Sequence, residues 1–148
     1  MKKFFYLLTA VFILLQMSSA SLYAAEGQKE TTKVDLDLTK MSSTFVYSQI
    51  FNMMVEPEQY LGKTIKMKGL FASYDLPPEF GRKKSFAVII LDATACCQQG
   101  IEFIWEGYHP YPQDYPKEGN PITVTGVFKM YKVQNYDCFC LVASDVQF

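Results

Sequence analysis

The alternation of hydrophobic and polar residues changes its period once along the chain. Between Phe45 and Met54 apolar residues recur near helical spacing, and a hydroxyl residue at 42–44 can cap the start of a helix. Pro57 ends that pattern. From Thr64 onward the period shortens to two, which is typical of strands. The pattern therefore predicts one helix packed on a β-sheet.

Five segments have the alternation or β-branched content of strands. Gly69 and Gly126 lie inside two of them, and Gly69 predicts a bend or bulge where a strongly coiled strand changes direction. The segments are residues 64–72, 85–91, 101–105, 122–131 and 136–148. With no internal repeat, five strands and a helix predict a single domain that is mainly β, in the α+β class.

The first 24 residues have the layout of a secretory signal peptide. Lys2 and Lys3 precede an apolar run over residues 4–15, and small residues follow it, with cleavage expected after residue 24 or 25. The run is shorter than the roughly 20 residues of a membrane span, and an uncleaved anchor is the alternative. We expect a secreted, periplasmic protein without stable membrane insertion after cleavage. The predicted boundaries are 1–24 for the signal peptide, 25–40 for a flexible lead-in and 41–148 for the folded domain. The alternation of residues 34–38 is also compatible with a short edge strand.

The charge balance weighs against nucleic-acid binding. The chain has 14 basic and 15 acidic residues, and loss of residues 1–24 leaves 12 basic residues and a net charge of −3. Sequence-independent nucleic-acid affinity depends on clustered Lys and Arg. The one basic run, Arg82-Lys83-Lys84, is expected to be a solvated loop.

Enzyme motifs are missing from the sequence. There is no Ser/His/Asp spacing, no glycine-rich phosphate loop and no HExxH. Asp92, Glu102 and Glu106 lie near predicted strand ends, where carboxylates are normally solvated. We therefore expect a protein that is not an enzyme.

Four cysteines are the main candidates for chemistry, as an adjacent pair, Cys96-Cys97, and an alternating pair, Cys138 and Cys140. The period of a strand places Cys138 and Cys140 on one face. An exported location permits disulfides. Thiolates also bind zinc or copper, although these spacings differ from the C-x₂-C knuckles of zinc ribbons. Thiol redox chemistry and buried free thiols are the remaining alternatives.

Several segments resemble small bacterial exported OB-fold domains. Residues 60–69 contain G-K-x-hydrophobic-x-hydrophobic-x-G and are similar to the first strand of that fold. Residues 119–126 are similar to its fourth strand and residues 141–146 to its last, so the resemblance spans about residues 57–148. The apolar strand that leads into Cys96-Cys97 also resembles the double-cysteine extracytoplasmic domain of a bacterial membrane-protein family of unknown function.

The resemblance implies a five-stranded, partly open barrel whose strand 2–3 face and adjacent loops bind ligands. In that fold strand 3 runs parallel to strand 5, which implies that the two cysteine pairs meet at one rim. Disulfides between the pairs would close loops of about forty residues and contribute roughly 3–4 kcal/mol each. We favour disulfides; the alternative is a zinc or copper site formed by Cys96, Cys97, Cys138 and Cys140, in a protein of metal handling.

The predicted function is that of an exported binding or accessory module. Its ligand is a small molecule, a glycan or a protein, and no cofactor is expected. A loop rich in Tyr and Pro, residues 107–116, is the predicted contact surface, because rigid tyrosines supply contact area at low entropic cost. Its candidate contact residues are Tyr108, Tyr111 and Tyr115, with Trp105 just before it. The alternative role for this loop is a cover over one end of the barrel.

Overall fold

The computed structural model describes residues 33–92, 94 and 97–148. The predicted signal peptide, the first part of the lead-in and Cys96 lie outside these residues. The described chain is mainly β, with six strands in one sheet and one α-helix. These elements are β1 (Leu36–Asp37), α1 (Ser43–Val55), β2 (Thr64–Asp75), β3 (Lys84–Leu91), β4 (Gln98–Trp105), β5 (Pro121–Val133) and β6 (Tyr136–Gln147). No helix of the described residues is long and apolar enough to cross a membrane.

The sheet has one strand more than the five predicted. The additional strand is β1, which runs parallel to the start of β2 with Leu36 opposite Ile65. A short 3-10 turn follows it, and Leu38 in that turn is buried in the core. The alternation of residues 34–38 allows a short edge strand there, and β1 occupies two of these residues. The folded domain therefore begins before residue 41, and the predicted flexible lead-in is wrong for residues 36–40.

The other five strands pair in a ring. Their order is β2-β3-β4-β6-β5, and β5 pairs back with β2. All neighbours are antiparallel except β4 and β6, whose parallel pairing confirms the expectation for strands 3 and 5. β2 pairs with β5 from Thr64 to Leu70 and with β3 from Leu70 to Asp75. Gly69 lies at this change of partner, where a Cβ would stand 2.4 Å from the carbonyl oxygen of Ile89, so the close approach of the two strands requires glycine.

The ring has a different cover at each end. One side of α1, formed by Val46, Ile50 and Met53, is buried in the core and packs against β3 and β4. At the other end of the same strands, the loop over residues 106–120 follows Trp105 and packs on the core aromatics. Both covers shield apolar side chains at the ends of the ring, which would otherwise be exposed to water.

Candidate functional site

A row of side chains crosses the outer face of the sheet, on the side away from the core. Ile101 and Phe103 of β4 belong to the core, so Glu102 between them lies on the opposite face. Glu102 is paired with Cys140 on β6, and Cys140 is paired with Lys129 on β5. The alternation of three strands thus brings a carboxylate, a thiol and an ammonium group into one row.

Arg82 joins this row from the loop between β2 and β3. Its Nη2 donates to Oε1 of Glu102 at 2.6 Å and to the hydroxyl oxygen of Tyr131 at 2.8 Å. The hydroxyl of Tyr131 donates to Oε2 of Glu102, and the hydroxyl of Ser85 donates to Oε1. Both carboxylate oxygens therefore accept charge-assisted hydrogen bonds, which are stronger than bonds between neutral groups. We call Arg82, Ser85, Glu102 and Tyr131 the outer-face network.

Partial burial of the outer-face network keeps its tyrosine protonated. Only about an eighth of the Glu102 side chain is exposed, because the guanidinium of Arg82 lies over the carboxylate. The same guanidinium is 5.5 Å from the centre of the Tyr131 ring. Burial, with the hydrogen bond to Glu102 as the second cause, raises the pKa of Tyr131 far above its usual range. The phenol therefore stays protonated and acts as a hydrogen-bond donor to the carboxylate.

The two cysteines of β6 lie beside this network. Cys138 is paired with Tyr131, and both Cys138 and Cys140 are on the outer face, which confirms the prediction that they share one face. Cys138 is half-buried, whereas only 2% of Cys140 is exposed. Burial and then the negative charge of Glu102 raise the pKa of the Cys140 thiol to about 11. The nucleophilic form of cysteine is the thiolate, so Cys140 is unsuited to thiol catalysis near neutral pH.

The other cysteine pair lies in the loop between β3 and β4. Cys97 is exposed and immediately precedes β4. The parallel pairing of β4 with β6 begins at Glu102 and Cys140, five residues along the chain from Cys97, which spans about 16 Å in an extended strand. A disulfide needs Cα atoms within about 7 Å. Cys138 and Cys140 are free thiols in the structure, so a bond to the pair at 96–97 stays a prediction.

The metal alternative also stays a prediction. Within the described part of the chain, no three side chains of His, Cys, Asp or Glu are placed to hold a metal ion. The chain's one histidine, His109, stacks on Trp105 with 3.6 Å between ring centres, at the end of β4 away from the cysteines. The full set proposed for a metal includes Cys96, which lies outside the described residues.

The tyrosine- and proline-rich loop uses most of its rings as a cover. Tyr115 stacks on Phe86 with 4.2 Å between ring centres and meets Trp105 edge-on at 5.6 Å. Tyr111 is at the rim, where its hydroxyl is 3.3 Å from the hydroxyl of Ser73. Tyr108 alone among the predicted contact residues projects freely, with 88% of its surface exposed. These contacts favour the alternative role as a cover, and ligand contact by this loop stays a prediction.

Sequence reasoning did not identify the outer-face network. Arg82 was expected in a solvated loop and Glu102 as a solvated carboxylate, but the structure pairs them and buries most of both. The one available indication was the alternation of side chains along a strand: Glu102 lies between two apolar residues on β4, and Cys140 lies between two apolar residues on β6. This alternation identifies the face of the sheet on which a residue lies, but it does not identify which loop covers that face.

Comparisons with known proteins leave this site to be interpreted from its geometry. No protein-family model matches the chain, and no curated protein matches it.

Proposed function

We propose that the chain is an exported, non-enzymatic binding or accessory module built on an OB-like, partly open barrel. The ring β2-β3-β4-β6-β5, with its single parallel pair, supports the OB-like assignment, and β1 is an addition at its edge. The proposed ligand is a small molecule, a glycan or a protein, because the net charge disfavours nucleic acid.

The position of the outer-face network is the observation that carries the proposal. OB-folds bind ligands on the face of their second and third strands and on the two loops beside it. The corresponding elements here are β3, β4, the β2–β3 loop and the β5–β6 turn. Ser85 and Glu102 come from the two strands, Arg82 comes from the loop, and Tyr131 lies two residues before the end of β5. The network thus occupies the usual ligand position of that fold.

The internal hydrogen bonds of this network favour recognition over catalysis. Glu102 accepts bonds at both oxygens, Tyr131 is held in its protonated form and the Cys140 thiol is held protonated as well. General acids and bases work best with a pKa near the operating pH, and the raised pKa values of Tyr131 and Cys140 lie well above neutrality. Groups already bonded to one another instead hold a rigid polar surface in place, as a binding face requires.

NMR titration tests the proposed binding face. Amide spectra of the labelled chain would be recorded with β-1,4-linked N-acetylglucosamine oligomers, peptide mixtures and small carboxylates as probes. We expect at least one probe to shift β3, β4 and the β2–β3 loop, and R82A to abolish the shifts. K132A is the matched control, because Lys132 pairs with Asp137 on the exposed surface. Shifts confined to the loop at 106–120, or shifts that persist in R82A, would contradict the proposal.

We also propose a disulfide between the two cysteine pairs in the exported protein. Cys138 is the better partner, because it is nearer the β3–β4 loop and more exposed than Cys140. Intact-mass analysis with native alkylation tests this. The expected result is a mass lower by the two hydrogens lost per bond, with Cys138 protected from alkylation. Alkylation of all four thiols would overturn the disulfide, and retained zinc or copper would favour the metal alternative.

A further inference from the structure

Helix α1 has more apolar surface than its packing uses. Its thirteen residues include no charged side chain. Val46, Ile50 and Met53 form the stripe that is buried in the core. The next residue after each of these, Tyr47, Phe51 and Met54, forms a second stripe about 100° further round the helix. A surface helix normally has one apolar stripe and a polar face opposite it.

This second stripe is exposed. Phe51 is 53% exposed, Val55 60% and Met54 45%, and Tyr47 is half-buried beside them. Together they form a ridge at positions i, i+4, i+7 and i+8, which is the spacing of one continuous helix face. We call Tyr47, Phe51, Met54 and Val55 the helix ridge. Contiguous apolar surface of this kind marks an interaction site on soluble proteins.

An apolar cavity continues the helix ridge at its N-terminal end. Ser43, one turn before Tyr47 on the same side of α1, lines a cavity of about 390 Å³. Its other walls are mostly apolar and include Leu38, Met41, Leu70 and Ile89. The ridge is therefore a row of projecting side chains with a socket at one end.

Charges of opposite sign stand at the two ends of the ridge. Exposed Lys40 lies just before α1, where it also pairs with Asp37 of its own chain at 3.2 Å, and exposed Glu56 and Glu58 lie just after the helix. A second copy of the helix in antiparallel orientation would place each lysine beside the other copy's glutamates. It would also place Met54 and Val55 of each copy at the socket of the other, and it would align the two helix dipoles favourably.

We propose that two copies of this chain associate through the helix ridge, with their α1 helices antiparallel about a two-fold axis midway between Tyr47 and Phe51. The contact is isologous, as two-fold dimers require. The helix alone is about 20 Å long. With its charged ends and the socket it forms a strip about 28 Å long and about 10 Å wide, or roughly 280 Å². This is less than the roughly 800 Å² that each chain contributes to a standard interface, so the expected dimer is a weak one. The inference does not depend on the proposed ligand face.

A membrane surface is a poorer occupant of this ridge. Interfacial helices place Lys and Arg on their polar face, where they attract anionic lipid. The polar positions of α1 are Ser, Thr, Asn and Gln, without a basic residue. The opposite charges at the two ends match another copy of the helix better than a uniformly anionic surface.

Analytical ultracentrifugation of the purified chain, over a concentration series, tests the dimer. We expect a monomer–dimer equilibrium with a Kd of about 50 μM, in the weak range of interfaces below the standard size. F51E would place a carboxylate against Tyr47 of the other copy on both sides of the two-fold axis and should weaken the dimer at least about 30-fold, the effect of losing an interface hot spot. F51L, which keeps an apolar side chain, should restore association to within about 5-fold.

Phe45→Glu is the matched control for F51E. Phe45 is on the same helix and is 59% exposed, but it lies about 120° round the helix from Phe51. We expect its Kd to stay within about 2-fold of the wild-type value. Equal weakening by F45E and F51E would overturn the proposed face, and circular dichroism spectra of both variants establish that each is folded.

Charge reversal tests the antiparallel arrangement. K40E alone, or E56K with E58K, should weaken the dimer about 3–10-fold, and the triple variant should restore it, because the pairs are then reversed rather than lost. No restoration would overturn the antiparallel arrangement. A chain that stays monomeric up to about 500 μM, or that binds anionic phosphatidylglycerol vesicles through Phe51, would overturn the dimer itself.

Discussion

The two covers of the strand ring use their apolar side chains differently. The loop at 106–120 is rich in tyrosine, and its Tyr115 ring packs against Phe86 and Trp105. Helix α1 buries Ile50 fully but leaves its neighbour Phe51 more than half exposed. The loop, whose composition suggested a contact surface, thus packs most of its aromatic rings on the core. Helix α1, whose periodicity suggested only core packing, retains exposed apolar surface.

The difference follows from the geometry of the two elements. An irregular loop can turn each of its rings inward, because successive residues need not keep a fixed angular spacing. A helix advances 100° per residue, so adjacent apolar residues such as Ile50 and Phe51 cannot both face the core. An apolar stretch on a helix therefore produces unburied surface unless a second element covers it.

The strongest test of this comparison is between two neighbouring residues of α1, one buried and one exposed. I50A removes a fully buried side chain and should lower the free energy of unfolding by about 2–5 kcal/mol, through lost burial and the cavity left behind. F51A should change it by less than about 0.5 kcal/mol at low protein concentration, where the monomer predominates. Urea unfolding monitored by circular dichroism measures both.

Protein concentration extends that test. If the helix ridge joins two copies, the wild-type unfolding midpoint rises with protein concentration, because association stabilises only the folded state. F51A should lose this dependence. A loss of more than about 2 kcal/mol in F51A at low concentration would instead mean that Phe51 belongs to the core of the monomer.

The loop cover gives the second comparison, between Tyr115 and Tyr108. Y115A removes a ring that contacts five aromatic side chains, Phe71, Phe86, Phe103, Trp105 and Tyr111, and should cost about 2–3 kcal/mol of stability. Y108A removes an exposed ring and should cost less than about 0.5 kcal/mol. Thermal unfolding of the two variants measures the difference. Similar costs would show that the loop does not act as a cover.

The individual strands could be predicted from local sequence and their parallel pair from the resemblance to OB-folds, whereas the site could be predicted from neither. Alternation and Gly69 indicate where β2 runs and bends, since both depend only on neighbouring residues. The outer-face network joins Arg82 to Glu102 and Tyr131, which are 20 and 49 residues away along the chain. No spacing rule connects residues that meet only because a loop folds over a sheet. Likewise, the apolar residues of α1 indicate a helix, but which side meets the sheet is decided by packing.

The outer-face network gives the third test. R82A leaves Glu102 partly buried with its main cationic partner removed, and should cost about 1–3 kcal/mol. K132A breaks an exposed pair with Asp137 and should cost less than about 1 kcal/mol. Urea unfolding at neutral pH compares them. If R82A is as mild as K132A, the network is an ordinary surface ion pair and the rigidity assigned to the binding face is wrong.

The smallest expected effect is a fall in stability at alkaline pH that originates from Cys140. Its folded-state pKa of about 11 lies above the ordinary value of 9.0, so the unfolded chain loses this proton first. The contribution to stability is therefore complete below pH 9 and declines as the pH rises from 9 to about 11. We expect this thiol to account for about 1–2 kcal/mol of the decline.

C140A should remove that part of the alkaline decline, and C138A, at the half-buried neighbouring position, is the control. The raised pKa of Tyr131 acts in the same direction, so the comparison is repeated in a Y131F background to separate the thiol from the phenol. Urea midpoints at several pH values between 8 and about 11 give the slopes. Equal slopes in the wild type and C140A would mean that the thiol does not titrate, as a disulfide at Cys140 would require.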